Sequence, residues 1–336
     1  MERDLSEPLL HGLLPGLVWS GRHSRLPEAA CRKLTADTAL AARIPAGVHL
    51  AFTGGATVVE LTVRVGERTT VPAPTVPEAF VVSLPDGSRS SLAVPAGGGR
   101  VRIELPGRDP GQPVRVHLPE SVEVFIDAIT ADAPLVPVPR GPRWVVYGDS
   151  ITQGWSVTEP GLAWPSRVAD TLGLDLVNLG FAGAARGELP VADVIAQSGA
   201  EAVALAWGTN AWTSLPTGTA QMAETTRLFL TAVRQGLPDA PVVVISPIVR
   251  PDGEHRANRF GATLAELRDA QESAVLAFAV ATGDPGITLV PGRDLVPAGE
   301  LVDGIHPGDE GQRRLADAVV SQVAAGLGLV ARGGAR

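Results

Sequence analysis

The sequence predicts an α/β protein in two parts: an all-β sandwich, then a parallel sheet covered by helices on both faces. Three observations predict it. Short apolar runs separated by Gly, Pro and polar turns fill the chain up to about residue 140. Four prolines crowd the segment Pro134 to Pro142. Beyond them, apolar strand-like runs alternate with longer stretches of helical period, an order that packs a parallel sheet between helices.

In the first part the runs are Val48 to Phe52, Val58 to Val63, Phe80 to Leu84, Val101 to Leu105 and Val122 to Ile126. Several alternate apolar with polar, as half-buried strands do. Pro85-Asp86-Gly87 and Gly97-Gly98-Gly99 supply turns between them. No segment here predicts a helix, so regular short strands point to a sandwich over residues 1–138. In the second part, residues 139–330, buried strands are predicted at Trp144 to Tyr147, Leu176 to Leu179, Ala202 to Trp207, Val242 to Ser246 and Ile287 to Val290. Helices are predicted at Ala163 to Leu172, Ala220 to Gln235, Thr263 to Thr282 and Asp309 to Leu327.

Composition narrows the function. The chain has 336 residues, 45% of them hydrophobic and 19% charged, enough apolar surface for large cores. The net charge is -8, with no block of Lys and Arg, which argues against a nucleic-acid groove or an anionic membrane as partner. Cys31 is the single cysteine, so an internal disulfide and a cysteine-based metal site are excluded. The charged, acidic start predicts no secretory leader, and no run reaches the length of a membrane span. The expectation is a cytoplasmic protein of unspecified oligomeric state that needs no cofactor or metal.

Four short motifs fall at the carboxyl ends of predicted strands or in the loops that follow, where such sheets bind ligands. They are Gly148-Asp149-Ser150-Ile151, Asn178-Leu179-Gly180-Phe181-Ala182-Gly183, Gly208-Thr209-Asn210 and Asp303-Gly304-Ile305-His306-Pro307. In this order and context they resemble the SGNH hydrolases, also called the GDSL family, from about Arg143 to Leu327. The resemblance implies a flavodoxin-like catalytic domain with Ser150 as nucleophile, His306 as base and Asp303 orienting it. It implies the Ser150 N–H, the Gly183 N–H and the Asn210 side chain as oxyanion donors. Family members with a jelly-roll-like sandwich before the catalytic domain imply a carbohydrate-binding-module-like role for the first part and a carbohydrate O-acetyl ester as substrate. Similar two-domain members that act inside cells imply the alternative, an acyltransferase tailoring a small natural product. A third reading is a silent sugar-binding protein that kept the fold.

The chemistry supports these roles on its own terms. A serine hydroxyl attacks only when a base takes its proton. Histidine titrates near neutrality, and a carboxylate fixes its tautomer. Negative charge on the former carbonyl oxygen must then meet fixed donors. Structural readings stand beside each role. Ser150 suits a helix start, Asp303 a local cap, Asn210 a loop brace, and Gly180 a plain turn. Asp149 reads as a residue that holds the turn. His255 is a rival base, and Asp252, Glu254 and His255 imitate a metal set. Trp164 and Trp207 read as core, whereas Trp155 and Trp212 sit on predicted loops and are candidate walls for substrate. Many family members carry Asp after the third motif's Asn; this chain has Ala211.

Overall fold

The structure is a computed structural model that describes residues 8–17, 24–68 and 77–329. The first part is antiparallel. One sheet contains β1 (Leu10–His11), β2 (His49–Thr53), β4 (Ala79–Ser83), β5 (Arg89–Ala93) and β7 (Val114–His117), in the order β1-β2-β7-β4-β5. The other contains β3 (Val58–Arg68), β6 (Gly98–Glu104) and β8 (Val122–Ala131), in the order β6-β3-β8. Alternate residues meet in one core: Val59, Leu61 and Val63 from the second sheet face Leu50, Phe52, Phe80 and Val116 from the first. The proline-rich segment is not a free tether. Within it β9 (Val136–Pro137) pairs antiparallel with β2, an edge position that tolerates proline.

The second part is a five-stranded parallel sheet: β10 (Arg143–Gly148), β11 (Asp175–Gly180), β12 (Ala202–Ala206), β13 (Val242–Ile245) and β14 (Ile287–Val290). The order β11-β10-β12-β13-β14 is that of flavodoxin-like folds, with the switch point between β10 and β12. Side chains alternate between the faces. Val145, Tyr147, Val203 and Leu205 meet α5 (Leu189–Ala196), α6 (Thr219–Gly236) and α7 (Leu264–Thr282). Trp144, Val146 and Ala204 meet α4 (Trp164–Leu172) and α8 (Asp309–Gly326). Strands β10 to β13 are buried on both faces, which is why they read as apolar runs, and the edge strand β14 is partly buried.

The expectation of no helix in the first part needs correction. Two short helices, α1 (Glu28–Cys31) and α2 (Ala36–Ala41), lie there. Four and six residues are too few to show a period in sequence. Leu14, Leu26, Ala41 and Ala42 join the core formed by Val145, Val177 and Leu179. Chain order and core membership therefore part company around residues 24–46.

Ion pairs cross the seam between the parts, Arg89 to Glu159 at 2.7 Å and Arg115 to Asp170 at 2.6 Å. Beside them His11, His49 and His117 line up with ring centroids 5.3 and 5.4 Å apart. Burial pushes the His117 imidazole down to about 3, with help from Arg89 and Arg115. The unfolded chain takes up this proton near 6.5, so folding excludes it between those values. Stability should therefore fall as pH drops from 6.5 toward 3, by up to about 1.4 kcal/mol per unit from this group. Urea unfolding at stepped pH should show a flatter fall in His117→Asn; an equal slope would show that His117 does not carry it.

Candidate active site

The chain leaves β10 at the switch point and turns at once into α3 (Ser150–Gln153). The turn is tight because two residues lack a side chain. A Cβ on Gly148 would lie 2.1 Å from Thr152 Oγ1 and 2.4 Å from the Ala206 carbonyl. A Cβ on Gly180 would lie 2.3 Å from the Gln153 nitrogen. Gly180 thus serves close approach of backbone, not the plain turn expected from sequence. Asp149 caps α3, its carboxylate accepting from Ile151 N–H at 3.0 Å. Burial pushes the Asp149 carboxyl up to about 6, against the pull of backbone bonds from Ile151 and Thr209.

Ser150 opens this turn, and its Oγ lies 2.8 Å from His306 Nε2. The other ring nitrogen, Nδ1, lies 2.7 Å from Asp303 Oδ2. Asp303 Oδ1 accepts from the backbone N–H of Ile305 at 3.0 Å and of His306 at 2.8 Å, so the carboxylate is held by the loop it orients. Burial alone would raise Asp303, but the hydrogen bonds from the His306 ring and backbone outweigh it and hold the carboxyl below its ordinary value. Burial lowers His306 more than Asp303 raises it, and Arg250 adds to the lowering. The net lowering favours the neutral ring. With Nδ1–H toward Asp303, Nε2 can take the Ser150 proton.

The loops after β11 and β12 supply the other side. Gly183 has φ of 70°, a conformation that favours glycine. Asn210 sits in a 3₁₀ turn, Thr209–Ala211, and its Nδ2 donates to the Ala185 carbonyl at 3.2 Å. That bond ties the Asn210 side chain to the loop that carries Gly183. The structure thus joins Ser150, His306 and Asp303 directly, and links Asn210 to the loop of Gly183.

The model of the GDSL-like lipase/acylhydrolase family matches residues 142–324, more than half of the chain. The chain belongs to this family. Among solved structures it resembles a salicylyl-acyltransferase from a tetracycline biosynthetic pathway, at 20% identity over 98% of both chains with a TM-score of 0.82. It also resembles a protein from Bacteroides ovatus described as a GDSL-like lipase, at 22% identity over 97% of this chain and 98% of the other, with a TM-score of 0.79. A family two carbohydrate esterase from Clostridium thermocellum, in complex with cellohexaose, aligns at 15% identity over 84% of this chain and 93% of the other, with a TM-score of 0.61. At such identities the likeness is one of fold. No protein with curated annotation matches the chain.

Against the GDSL family pattern, Ala211 replaces a frequent Asp. The loop is braced without it: the Ala211 carbonyl accepts from Thr217 N–H at 2.8 Å and from Asn258 Nδ2 at 3.3 Å. Trp164 and Trp207 lie in the two cores. Trp155 is buried, with its ring 6.3 Å from that of His306. Trp212 is also buried; Arg250 and Arg256 cover its ring and its Nε1–H donates to the Arg256 carbonyl. His255 is exposed. The imitated metal set is taken up elsewhere, Asp252 pairing with Arg250 and Glu254 with the fully buried Arg268. Among the described residues no cluster of three or more metal-ligating side chains is present, and no helix is long and apolar enough to cross a membrane. Sequence reasoning missed Gln153, whose Oε1 accepts from Ala182 N–H at 2.9 Å, and Arg250, which stacks on Trp212 and depresses His306. No spacing marked either one.

On the reading that the neutral form of His306 is the base, ester turnover should rise with pH through a group titrating below the ordinary histidine value of 6.5. The limb in kcat/KM for p-nitrophenyl acetate reports the free enzyme. Asp303→Asn should lower the rate by up to about 10⁴-fold. A limb that survives His306→Ala would move the role to another group, His255 first.

Proposed function

We propose that the protein is a serine esterase that works through an acyl-serine and removes a small acyl group, such as acetyl, from a carbohydrate or related O-ester. The observation that carries this is the hydrogen-bonded relay Ser150, His306, Asp303 at the switch point of the sheet. Ser150 Oγ attacks the ester carbonyl carbon while His306 Nε2 takes its proton. The oxyanion is met by the N–H of Ser150, the N–H of Gly183 and Nδ2 of Asn210. Collapse breaks the C–O bond, and the departing alcohol takes the proton from His306. Water then attacks the acyl-serine, with His306 again as base, and frees the acid. The donors act where charge develops, and each is worth about 10²–10³ in rate. Trp155, beside His306, is the candidate wall for the acyl group; Trp212 shapes the site through Arg250.

The two-sheet first part and the carbohydrate esterase likeness support a carbohydrate ester. Likeness to the acyltransferase along the whole chain favours a second reading, in which an alcohol of a small natural product replaces water as acceptor. Both readings share the acyl-serine. The intact relay argues against a silent sugar-binding protein.

Ser150→Ala should abolish p-nitrophenyl acetate cleavage and leave the melting curve unchanged. Mass spectrometry of wild type incubated with acyl donors should show one acyl adduct, on Ser150. With sugar and polyketide alcohols added at millimolar concentration, products that remain free acid support the esterase, and an acylated alcohol supports the transferase. Wild-type turnover in a folded Ser150→Ala protein would sink both.

A further inference from the structure

We propose that Arg25 and Gln153 are positioning residues that hold the oxyanion turn in register with Ser150, so that the chain between β1 and β2 is part of the catalytic apparatus. The inference rests on the serine reading above.

Strand β11 is at the edge of the parallel sheet. One side bonds to β10, and the carbonyls of alternate residues face outward on the other. Two of those carbonyls, Asn178 and Gly180, accept from Arg25: Nη1 donates to Asn178 at 2.6 Å and Nη2 to Gly180 at 2.8 Å. Nη2 also donates to the Ala41 carbonyl at 2.8 Å. The planar fork spans the two-residue period of a strand, which a point-charge lysine does not. Arg25 thus takes the place of a sixth strand where β11 becomes the turn toward Gly183. Its guanidinium is fully buried and lies 5.1 Å from the Phe181 ring centroid. A buried cation is an expensive way to fill space, since an apolar side chain of similar volume does so without desolvation.

Gln153 grips the same turn from the other side. It lies in the helical turn that starts with Ser150 and is buried. Its Oε1 accepts from Ala182 N–H, immediately before Gly183. Its Nε2 donates to the Glu120 carbonyl at 3.3 Å, and the Glu120 carboxylate accepts from Gly47 N–H at 2.9 Å. Residues from the first part therefore fix both the nucleophile's turn and the donor's turn. Neither Arg25 nor Gln153 is proposed to touch the reacting atoms. A misplacement of about 1 Å in such a loop can cost about 10²-fold, comparable to losing an oxyanion donor.

The test compares an oxoester with its thionoester in the full chain. Sulfur accepts hydrogen bonds poorly, so well-placed donors make the oxoester much the better substrate. A displaced turn lowers kcat for the oxoester more than for the thionoester. Arg25→Gln and Gln153→Met should each lose about 10- to 100-fold in oxoester kcat, leave KM nearly unchanged and shrink the oxo-to-thiono ratio. Arg25→Lys should recover part of the loss. Near-UV circular dichroism and melting select folded variants, and either folded variant suffices. Folded variants with an unchanged ratio overturn the inference, as does loss of folding in both, which makes the roles purely structural. Ser150→Ala runs alongside. If it is inactive, an unchanged ratio counts against this inference alone; if it still turns over ester, the serine reading falls and takes this inference with it.

Discussion

The site depends on a helical turn approaching the ends of two strands more closely than any side chain allows. Gly148 and Gly180 both occupy positions where a Cβ would meet neighbouring atoms at 2.1 to 2.3 Å. Their emptiness lets α3 sit directly on β10 and β11, which brings Ser150 to the crevice beside the switch point. Asp149 then caps the turn it shares with Ser150, and the β12 loop closes from the opposite side. Everything else in the site is arranged around a backbone path fixed by two missing methyl groups.

Burial does two kinds of work there. It favours the neutral form of His306, and the Asp303 pairing offsets only part of that lowering. It also lifts Asp149 to about 6, while the backbone N–H of Ile151 holds its carboxylate as the cap of α3. Arg250 joins these effects from a different loop. Its charge bears on His306 while its guanidinium is tied down by Asp252 and the Trp212 ring. His306 is therefore tuned by Asp303 from its own loop and by Arg250 from the loop after β13.

Much of this was legible in the sequence because it is periodic or local. The parallel strands appear as apolar runs, since both faces of β10 to β13 are buried, and α6, α7 and α8 extend over 18 or 19 residues, long enough for a helical period to show. Ser150, Asp303 and His306 stand in short motifs, and Asp303 lies three positions before His306. Other features were silent. Helix α5, eight residues with proline in its first turn, is too short for a period. Strands β5 and β7 are short, and β5 is mostly exposed, so their apolar signal is weak. Arg25 lies 153 positions from Asn178, and no local pattern announces a contact between a guanidinium and the carbonyls of a distant strand. Gln153 lies next to a motif, but its partners come from two other segments.

The shared core has a consequence for how such a chain can be rearranged. Leu14, Leu26, Ala41 and Ala42 contribute to the layer beneath α5 and α6, although they lie between the sandwich strands β1 and β2. Cutting at the proline-rich segment would remove the residues that pack along the edge of β11 and strip a hydrophobic wall from the remaining sheet. Shuffling the catalytic half onto a different sandwich would carry the same defect. A workable graft would have to keep residues 24–46 with the parallel sheet, inserting the foreign sandwich between them as a loop.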